Sequence, residues 1–186
     1  MTSARTVEGR DRLRLFCGLR LPEDALDRLV SWQQAELARA EVRIVPREHL
    51  HVTLAFLGSR PLADVPAIVE ALAAAAAEAE SPLLQAVRYR ETRSVGMVVL
   101  GDTNDRGARL ADDVQRRLEA LGVYEREARP WLPHVTVARF RSRPRLQPAV
   151  PDLGAVSPSD AALYNSVLRS TGAQYVVLES VALGGT

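Results

Sequence analysis

Lysine is absent from this chain, so all 24 basic residues are arginines. Acidic residues number 23, and the resulting net charge of +1 gives the whole molecule no strong attraction to nucleic acid. The chain is also rich in alanine, most visibly in the run at residues 73–77. The missing lysine therefore indicates a compositional bias, and the arginine content by itself does not identify a phosphate-binding surface.

Cysteine and long apolar segments are also scarce. Cys17 is the single cysteine, which excludes a disulfide framework and a thiolate metal cluster. No apolar run approaches the roughly 20 residues that span a bilayer, and residues 1–14 lack the apolar stretch of a signal peptide. With 47% hydrophobic and 25% charged residues, the composition is that of a globular protein. We therefore expect a cytoplasmic monomer with no membrane partner.

The spacing of the apolar residues predicts the secondary structure. Helices are predicted over residues 22–39, over 64–80, and from a cap at 102–105 to residue 121. Strands are predicted over residues 13–19, 42–45, 51–57, 83–91, 95–100, 134–140, 162–168 and 175–183. Several strands follow one another through short turns, which favours the α+β class over a purely parallel sheet. We expect a disordered tail over residues 1–11 and a single domain over residues 12–186.

One short motif occurs twice. The sequence is HVTLA at residues 51–55 and HVTVA at residues 134–138, with identity at four of five positions. The chain has three histidines and eight threonines, so two chance His-x-Thr matches have a probability of about one in 200. The repetition predicts two equivalent lobes, each of which contributes one motif strand.

The repeated residues suit phosphodiester chemistry. On a strand, His51 and Thr53 lie on one face, and so do His134 and Thr136. One neutral imidazole can take a proton from the attacking oxygen while one imidazolium protonates the leaving oxygen. The threonine hydroxyls can donate hydrogen bonds to the phosphate oxygens. We predict catalysis by His51 and His134, substrate binding by Thr53 and Thr136, and no cofactor.

Two other interpretations of the histidines carry less weight. A zinc site needs three or four ligands, and no carboxylate, cysteine or further histidine accompanies both motifs, so no metal is predicted. His49 has no threonine two residues later and falls in a predicted turn, so we assign it no catalytic role.

These residues resemble the 2H phosphoesterase superfamily, which is named for two His-x-Thr/Ser motifs. The match is to its LigT-like branch of RNA 2′,3′-cyclic phosphodiesterases, also known for 2′-5′ RNA ligase activity in vitro. It covers the opening strand LRLFCGL at 13–19, the motifs LHVTLAFLG at 50–58 and PHVTVAR at 133–139, and LYNSVL at 163–168. The resemblance implies a bilobal fold with two antiparallel sheets facing a central cleft and helices outside.

The same resemblance implies a reaction and further site residues. A 2′,3′-cyclic phosphate at an RNA 3′ end, or on a cyclic nucleotide, would be opened to a 2′-phosphate, with His134 as base and His51 as acid. Arg139 would contact the phosphate and Phe56 would stack on the base. Each lies five residues after a motif histidine, however, and a straight strand would send it to the opposite face. Either the strands end or bulge first, or Phe56 is a core residue and Arg139 is solvated.

Two segments near the motifs have alternative interpretations. Arg141, Arg143 and Arg145 form either an electrostatic lip for an RNA backbone or an ordinary solvated loop. Trp131 either stacks on a base or packs in the interior.

Other functions also fit the motif pair. They are 2′-5′ RNA ligation, hydrolysis of another cyclic nucleotide, and nucleotide binding without turnover. The presence of both histidines and both threonines favours an enzyme.

Overall fold

A computed structural model describes residues 12–38, 40–169 and 172–184. Within these residues the chain forms three α-helices, α1 (Glu23–Glu36), α2 (Val65–Glu78) and α3 (Arg106–Ala120). It also forms eight strands: β1 (Arg12–Arg20), β2 (Arg43–Ile44), β3 (His51–Pro61), β4 (Leu84–Glu91), β5 (Val95–Asp102), β6 (His134–Arg139), β7 (Asp160–Arg169) and β8 (Gly172–Ala182). Each predicted strand and helix is present, while the predicted tail over residues 1–11 lies outside the described residues.

The strands form one curled antiparallel sheet in the order β4-β5-β6-β3-β1-β7-β8, with β2 paired to β6. The α+β class is confirmed. The two sheets expected from the sequence are two halves of this sheet, β4-β5-β6 with β2 and β3-β1-β7-β8. The halves join where the two motif strands pair, at Val52 and Val135.

The two motif strands occupy equivalent places in the topology. β1 leads into α1, and the chain returns as β3, which pairs antiparallel with β1. β5 likewise leads into α3, and the chain returns as β6, which pairs antiparallel with β5. The duplicated motif thus reflects a duplicated strand–helix–strand unit.

The face of the sheet opposite the histidines is covered by the helices. Val52 and Val135 are fully buried in a core that also contains Leu29 of α1, Ile68 of α2 and Val114 of α3. Burying a valine or leucine side chain stabilises a fold by about 1.5–3 kcal/mol, so this core holds both motif strands firmly. None of the helices in the described residues is long and apolar enough to cross a membrane.

Candidate active site

The antiparallel pairing of the two motif strands sets the geometry of the site. Because Val52 lies opposite Val135, Thr53 lies on the His134 side of the seam and His51 on the Thr136 side. The cavities on this face agree with that register, since one is lined by His51 and Thr136 and another by His134 and Thr53. Each histidine therefore lies at the same end of the seam as the threonine of the other motif, and both motifs face one cleft.

The backbone fixes both imidazoles in the same way. The Nδ1 atom of His51 lies 2.7 Å from the carbonyl oxygen of His49, and the Nδ1 atom of His134 lies 2.8 Å from the carbonyl oxygen of Leu132. A carbonyl oxygen can only accept a hydrogen bond, so each Nδ1 carries the proton. In the neutral rings Nε2 is therefore the basic atom. The hydroxyl of Thr53 donates to Nε2 of His51 at 3.1 Å.

Each motif strand has a β-bulge one residue after its threonine. The extra residue is Leu54 in β3 and Val137 in β6. Because a bulge adds one residue, it reverses the alternation of side chains beyond it. Phe56 and Arg139 are thereby returned to the face of the cleft, where both line the cavity that contains His51. The straight-strand objection to these two residues does not hold.

A glutamine from a helix of the opposite half donates to each bulge carbonyl, and the backbone N–H of Val45 also donates to that of Val137 at 3.0 Å. Gln33 of α1 donates its Nε2 proton to the carbonyl oxygen of Val137 at 2.8 Å. Gln115 of α3 donates to the carbonyl oxygen of Leu54, also at 2.8 Å. Gln33 is buried, whereas Gln115 is half-buried. The two glutamines therefore bind the bulges reciprocally across the two halves.

The cavity beside His51, which we name the His51 cavity, has a volume of about 410 Å³. Its walls include His51, Thr53, Phe56, Thr136 and Arg139. Among the residues that the structure describes, three arginines and no carboxylate line it; the arginines are Arg14, Arg43 and Arg139. This charge distribution suits a phosphate anion, for which the guanidinium group is a strong hydrogen-bond donor.

Phe56 stands at the mouth of this cavity. Its side chain is 48% exposed, so the core-packing alternative is excluded. The guanidinium carbon of Arg14 lies 5.1 Å from the ring centroid, within the range of a cation–π contact. Arg139 is also exposed, and its Nη2 lies 3.5 Å from the hydroxyl of Tyr175.

Aromatic rings enclose His51. Phe16 stacks on its imidazole with 4.7 Å between centroids, and Tyr175 meets it edge-on at 5.4 Å. Gly18 leaves room for the imidazole, because a Cβ atom there would lie 3.2 Å from the His51 Cδ2 atom. Burial lowers the pKa of His51 from 6.5 to about 4, and although the hydrogen bond to His49 opposes the shift, the charges of His134, His49 and Arg139 add to it. His51 is therefore neutral at pH 7 in the substrate-free protein.

His134 stands in a second cavity, the His134 cavity, of about 520 Å³. This cavity lies across the seam from the His51 cavity and shares Thr53 and Phe56 with it. Trp131 lines it and donates its indole N–H to the carbonyl oxygen of Thr53 at 2.9 Å. Trp131 therefore connects the segment before β6 to β3, which favours the packing role over stacking on a substrate base.

The arginine loop after β6 is bound elsewhere. The buried carboxylate of Glu91 accepts hydrogen bonds from Nε of Arg143 at 3.2 Å and from the backbone N–H groups of Arg145 and Leu146 at 2.9 Å. Neither cavity that holds a motif histidine is lined by this loop. The segment that the sequence offered as an electrostatic lip for RNA is thus a loop bound to Glu91 at the end of β4.

Several residues of this site were not singled out in the sequence. They are Arg14, Phe16, Gly18, Gln33, Arg43, Gln115 and Tyr175. One signal was available for the glutamines, because Gln33 and Gln115 precede the two motif histidines by 18 and 19 residues. His49, to which we assigned no catalytic role, lines the His51 cavity and accepts a hydrogen bond from the Tyr175 backbone N–H at 3.4 Å.

The donor set of the cleft offers nitrogen and hydroxyl groups rather than a metal-binding cluster. Among the residues that the structure describes, no three histidine, cysteine, aspartate or glutamate side chains lie close enough together to hold a metal ion.

Comparison with known proteins identifies the family. The sequence model of the 2′-5′ RNA ligase superfamily matches residues 22–169. An RNA 2′,3′-cyclic phosphodiesterase of Thermus thermophilus is 32% identical over 185 residues, covering 93% of this chain and 91% of that protein. The crystal structure of TT0787 of Thermus thermophilus is 30% identical, with a TM-score of 0.78 and coverage of 93% of this chain and 99% of that one. The structure of E. coli LigT complexed with 3′-AMP is 20% identical, with a TM-score of 0.76 and coverage of 94% and 99%. The chain belongs to the 2′-5′ RNA ligase superfamily.

Proposed function

We propose that this protein hydrolyses 2′,3′-cyclic phosphates to 2′-phosphates, at RNA 3′ ends and on cyclic mononucleotides, without a metal. The observation that carries the proposal is the register at Val52 and Val135, which sets two imidazoles and two hydroxyls around one cationic cleft. The Thermus thermophilus relative that is 32% identical is an RNA 2′,3′-cyclic phosphodiesterase. Residues 12–186 act as a single domain in this proposal, because both halves contribute to the cleft.

The cleft accounts for recognition of the substrate. Phe56 is exposed at the mouth of the His51 cavity, so it can stack on a nucleobase, and Arg139 can contact the phosphate or cover the other face of the base. Thr53 and Thr136 donate hydrogen bonds to the two non-bridging oxygens as negative charge develops on them. Arg14 and Arg43 supply positive charge in the same cavity.

The two histidines act on opposite sides of the phosphorus atom. A nucleoside bound in the His51 cavity carries its 3′ oxygen next to His51, while water approaches from the His134 side. His134 takes the proton of the water, the new P–O bond forms, the P–O3′ bond breaks, and His51 protonates the leaving 3′ oxygen. Because burial lowers the pKa of His51 to about 4, His51 must gain a proton for this step. The bound phosphate anion favours that gain, since an opposite charge raises the pKa of an imidazole.

A direct assay tests the proposal. The protein is incubated with adenosine 2′,3′-cyclic phosphate in the presence of EDTA, and the products are separated by chromatography. We expect adenosine 2′-phosphate and no 3′ isomer, because the 3′ oxygen is the leaving group. The double variant His51→Asn/His134→Asn, purified identically, controls for contaminating nucleases and should give no product.

The contrary outcomes distinguish the alternatives. Loss of activity in EDTA with recovery on adding zinc or manganese would replace the two-histidine mechanism by a metal site. Tight binding of the cyclic nucleotide with no turnover would identify a nucleotide-binding module.

A further inference from the structure

The edge of β3 that faces the other half has a backbone partner for only part of its length. Among the described residues, β3 pairs with β6 at one position, where Val52 lies opposite Val135. In the antiparallel register Leu54 then runs beside Pro133, and proline has no N–H group to donate to a neighbouring strand. The carbonyl groups of β3 just beyond the seam accept hydrogen bonds from side chains instead.

Two side chains from the half that contains α3 supply these hydrogen bonds. Trp131 donates its indole N–H to the carbonyl oxygen of Thr53 at 2.9 Å. Gln115 donates its Nε2 proton to the carbonyl oxygen of Leu54 at 2.8 Å. Leu54 is the extra residue of the bulge, so the two donors hold consecutive residues where the strand departs from regular geometry, just before Phe56.

Both donors are attached to α3. A Cβ atom at Gly107 would lie 3.2 Å from two carbon atoms of the Trp131 ring, so the indole packs closely on the helix where the glycine leaves room for it. Gln115 lies on the same helix, about two turns after Gly107. One rigid element therefore sets the positions of the indole N–H and of the Gln115 amide relative to β3.

The corresponding bulge of β6 is held differently, because the strand β2 lies along its edge. The backbone N–H of Val45, the residue after β2, donates to the carbonyl oxygen of Val137 at 3.0 Å. Gln33 donates to the same oxygen at 2.8 Å and to the carbonyl oxygen of Val45 at 3.0 Å. Gln33 therefore joins the end of β2 to β6, and the Val137 carbonyl keeps a backbone donor without it. On β3, the side chains of Gln115 and Trp131 take the place that β2 occupies on β6.

We infer that Gln115 and Trp131 are positioning residues for the side chains of β3 that contact substrate. This inference rests on the proposed function, in which Phe56 stacks on the base and Thr53 donates to the phosphate. Gln115 acts through Phe56, because its hydrogen bond to Leu54 stabilises the bulge that turns the Phe56 ring to the cleft. Trp131 acts through Thr53, because its indole N–H fixes the backbone from which the Thr53 hydroxyl must reach the phosphate.

A methionine substitution tests the role of Gln115, because methionine has a similar length and no N–H donor. We expect Gln115→Met to raise KM for adenosine 2′,3′-cyclic phosphate about tenfold while kcat stays within about threefold, since stacking on the base is weakened. The dissociation constant of adenosine 2′-phosphate, measured by calorimetry, should rise by the same factor. Gln34→Met, at an exposed position of α1, is the control and should match the native protein.

A phenylalanine substitution tests the role of Trp131, because phenylalanine keeps an aromatic ring and lacks the N–H donor. We expect Trp131→Phe to lower kcat about fivefold to tenfold with KM within about threefold, since the Thr53 hydroxyl serves the transition state more than the bound substrate. Trp32→Phe is the matched control. Trp32 also donates its indole N–H to a backbone carbonyl, that of Ala149 at 2.7 Å, but it lines neither cavity, so its variant should lose stability without a change in kcat or KM.

The contrary outcomes separate this inference from the proposed function. Lowered stability of Gln115→Met and Trp131→Phe with unchanged kcat and KM would make both residues structural and overturn the inference. Should the Trp131 variant fail to fold, the variant of the half-buried Gln115 decides the question. If the native protein binds adenosine 2′-phosphate but does not hydrolyse the cyclic phosphate, the proposed function fails alone, and the dissociation constants still test the role of Gln115. A native protein that neither binds nor hydrolyses these nucleotides would overturn both.

Discussion

The two motif strands share a backbone plan but differ in their surroundings. In both, the carbonyl oxygen two residues before the histidine accepts a hydrogen bond from its Nδ1. A bulge follows the threonine, and a glutamine side chain donates to the carbonyl of the bulge residue. His51 is packed among aromatic rings in a cavity lined by three arginines, while His134 borders the larger of the two cavities. The duplicated backbone places the two imidazoles symmetrically, while burial lowers the pKa of His51.

The largest expected effect comes from removing either imidazole, which tests whether both motif histidines transfer a proton. We expect His51→Ala and His134→Ala each to lower kcat/KM by about 10²–10⁴-fold, because each loses one proton-transfer step. His→Asn substitutions should lose as much, although the asparagine amide can still donate to the carbonyl that held Nδ1. Steady-state kinetics on adenosine 2′,3′-cyclic phosphate and thermal unfolding measure the two effects separately. Turnover within threefold of the native value in any of these folded variants would contradict the account.

The threonines should show a smaller but matched effect. Valine has the shape of threonine without its hydroxyl, so Thr53→Val and Thr136→Val should each lower kcat by about tenfold to a hundredfold through loss of a donor to the phosphate. Removing the Thr53 hydroxyl also frees Nε2 of His51 from its hydrogen bond at 3.1 Å. Because the freed Nε2 is then available for proton transfer, kcat should fall less in the Thr53 variant than in the Thr136 variant. A loss confined to Thr53→Val would break the proposed symmetry between the motifs.

Gly18 sharpens the comparison between the two motif histidines, because among the described glycines it alone approaches one of them, His51. An alanine Cβ would lie 3.1 Å from the carbonyl oxygen of Val52 and 3.2 Å from the His51 ring. The imidazole must move by a few tenths of an ångström, and we expect kcat to fall about threefold to tenfold as its geometry is disturbed. Gly101→Ala in β5 is the control, because its Cβ would also meet a neighbour at 3.1 Å, the Val87 side chain, and Gly101 lines neither cavity. Unchanged kcat in Gly18→Ala would show that the ring position is not critical.

The low pKa of His51 predicts a pH effect on stability. The unfolded chain protonates His51 near pH 6.5, whereas the folded protein resists protonation until about pH 4. Between these values the unfolded state binds more protons, so the free energy of unfolding falls as the pH falls. Wild type should lose up to about 3 kcal/mol more than His51→Asn between pH 7 and pH 4. Denaturant titrations at both pH values measure this, and equal losses in the two proteins would contradict the low pKa of His51.

The sequence predicted those features that depend on short periodicities. Alternating apolar residues located the strands, and the His-x-Thr spacing put His51 and Thr53 on one face. The bulges at Leu54 and Val137 escaped prediction, because a bulge exists only relative to the partner strand. The role of Arg14 and the binding of Arg143 by Glu91 likewise depend on segments that are distant in the chain. The cytoplasmic location and the monomeric state stay predictions.

The assignment of His51 as the acid and His134 as the base is tested most directly by a substrate whose leaving 3′ oxygen is replaced by sulfur. A thiolate barely needs a proton to leave, so it dispenses with the acid but still requires the base. We predict that this substrate restores most of the turnover of His51→Ala and none of that of His134→Ala. Rescue of His134→Ala alone would contradict the assignment and reverse the roles of the two histidines, and rescue of neither would refute the two-histidine division itself.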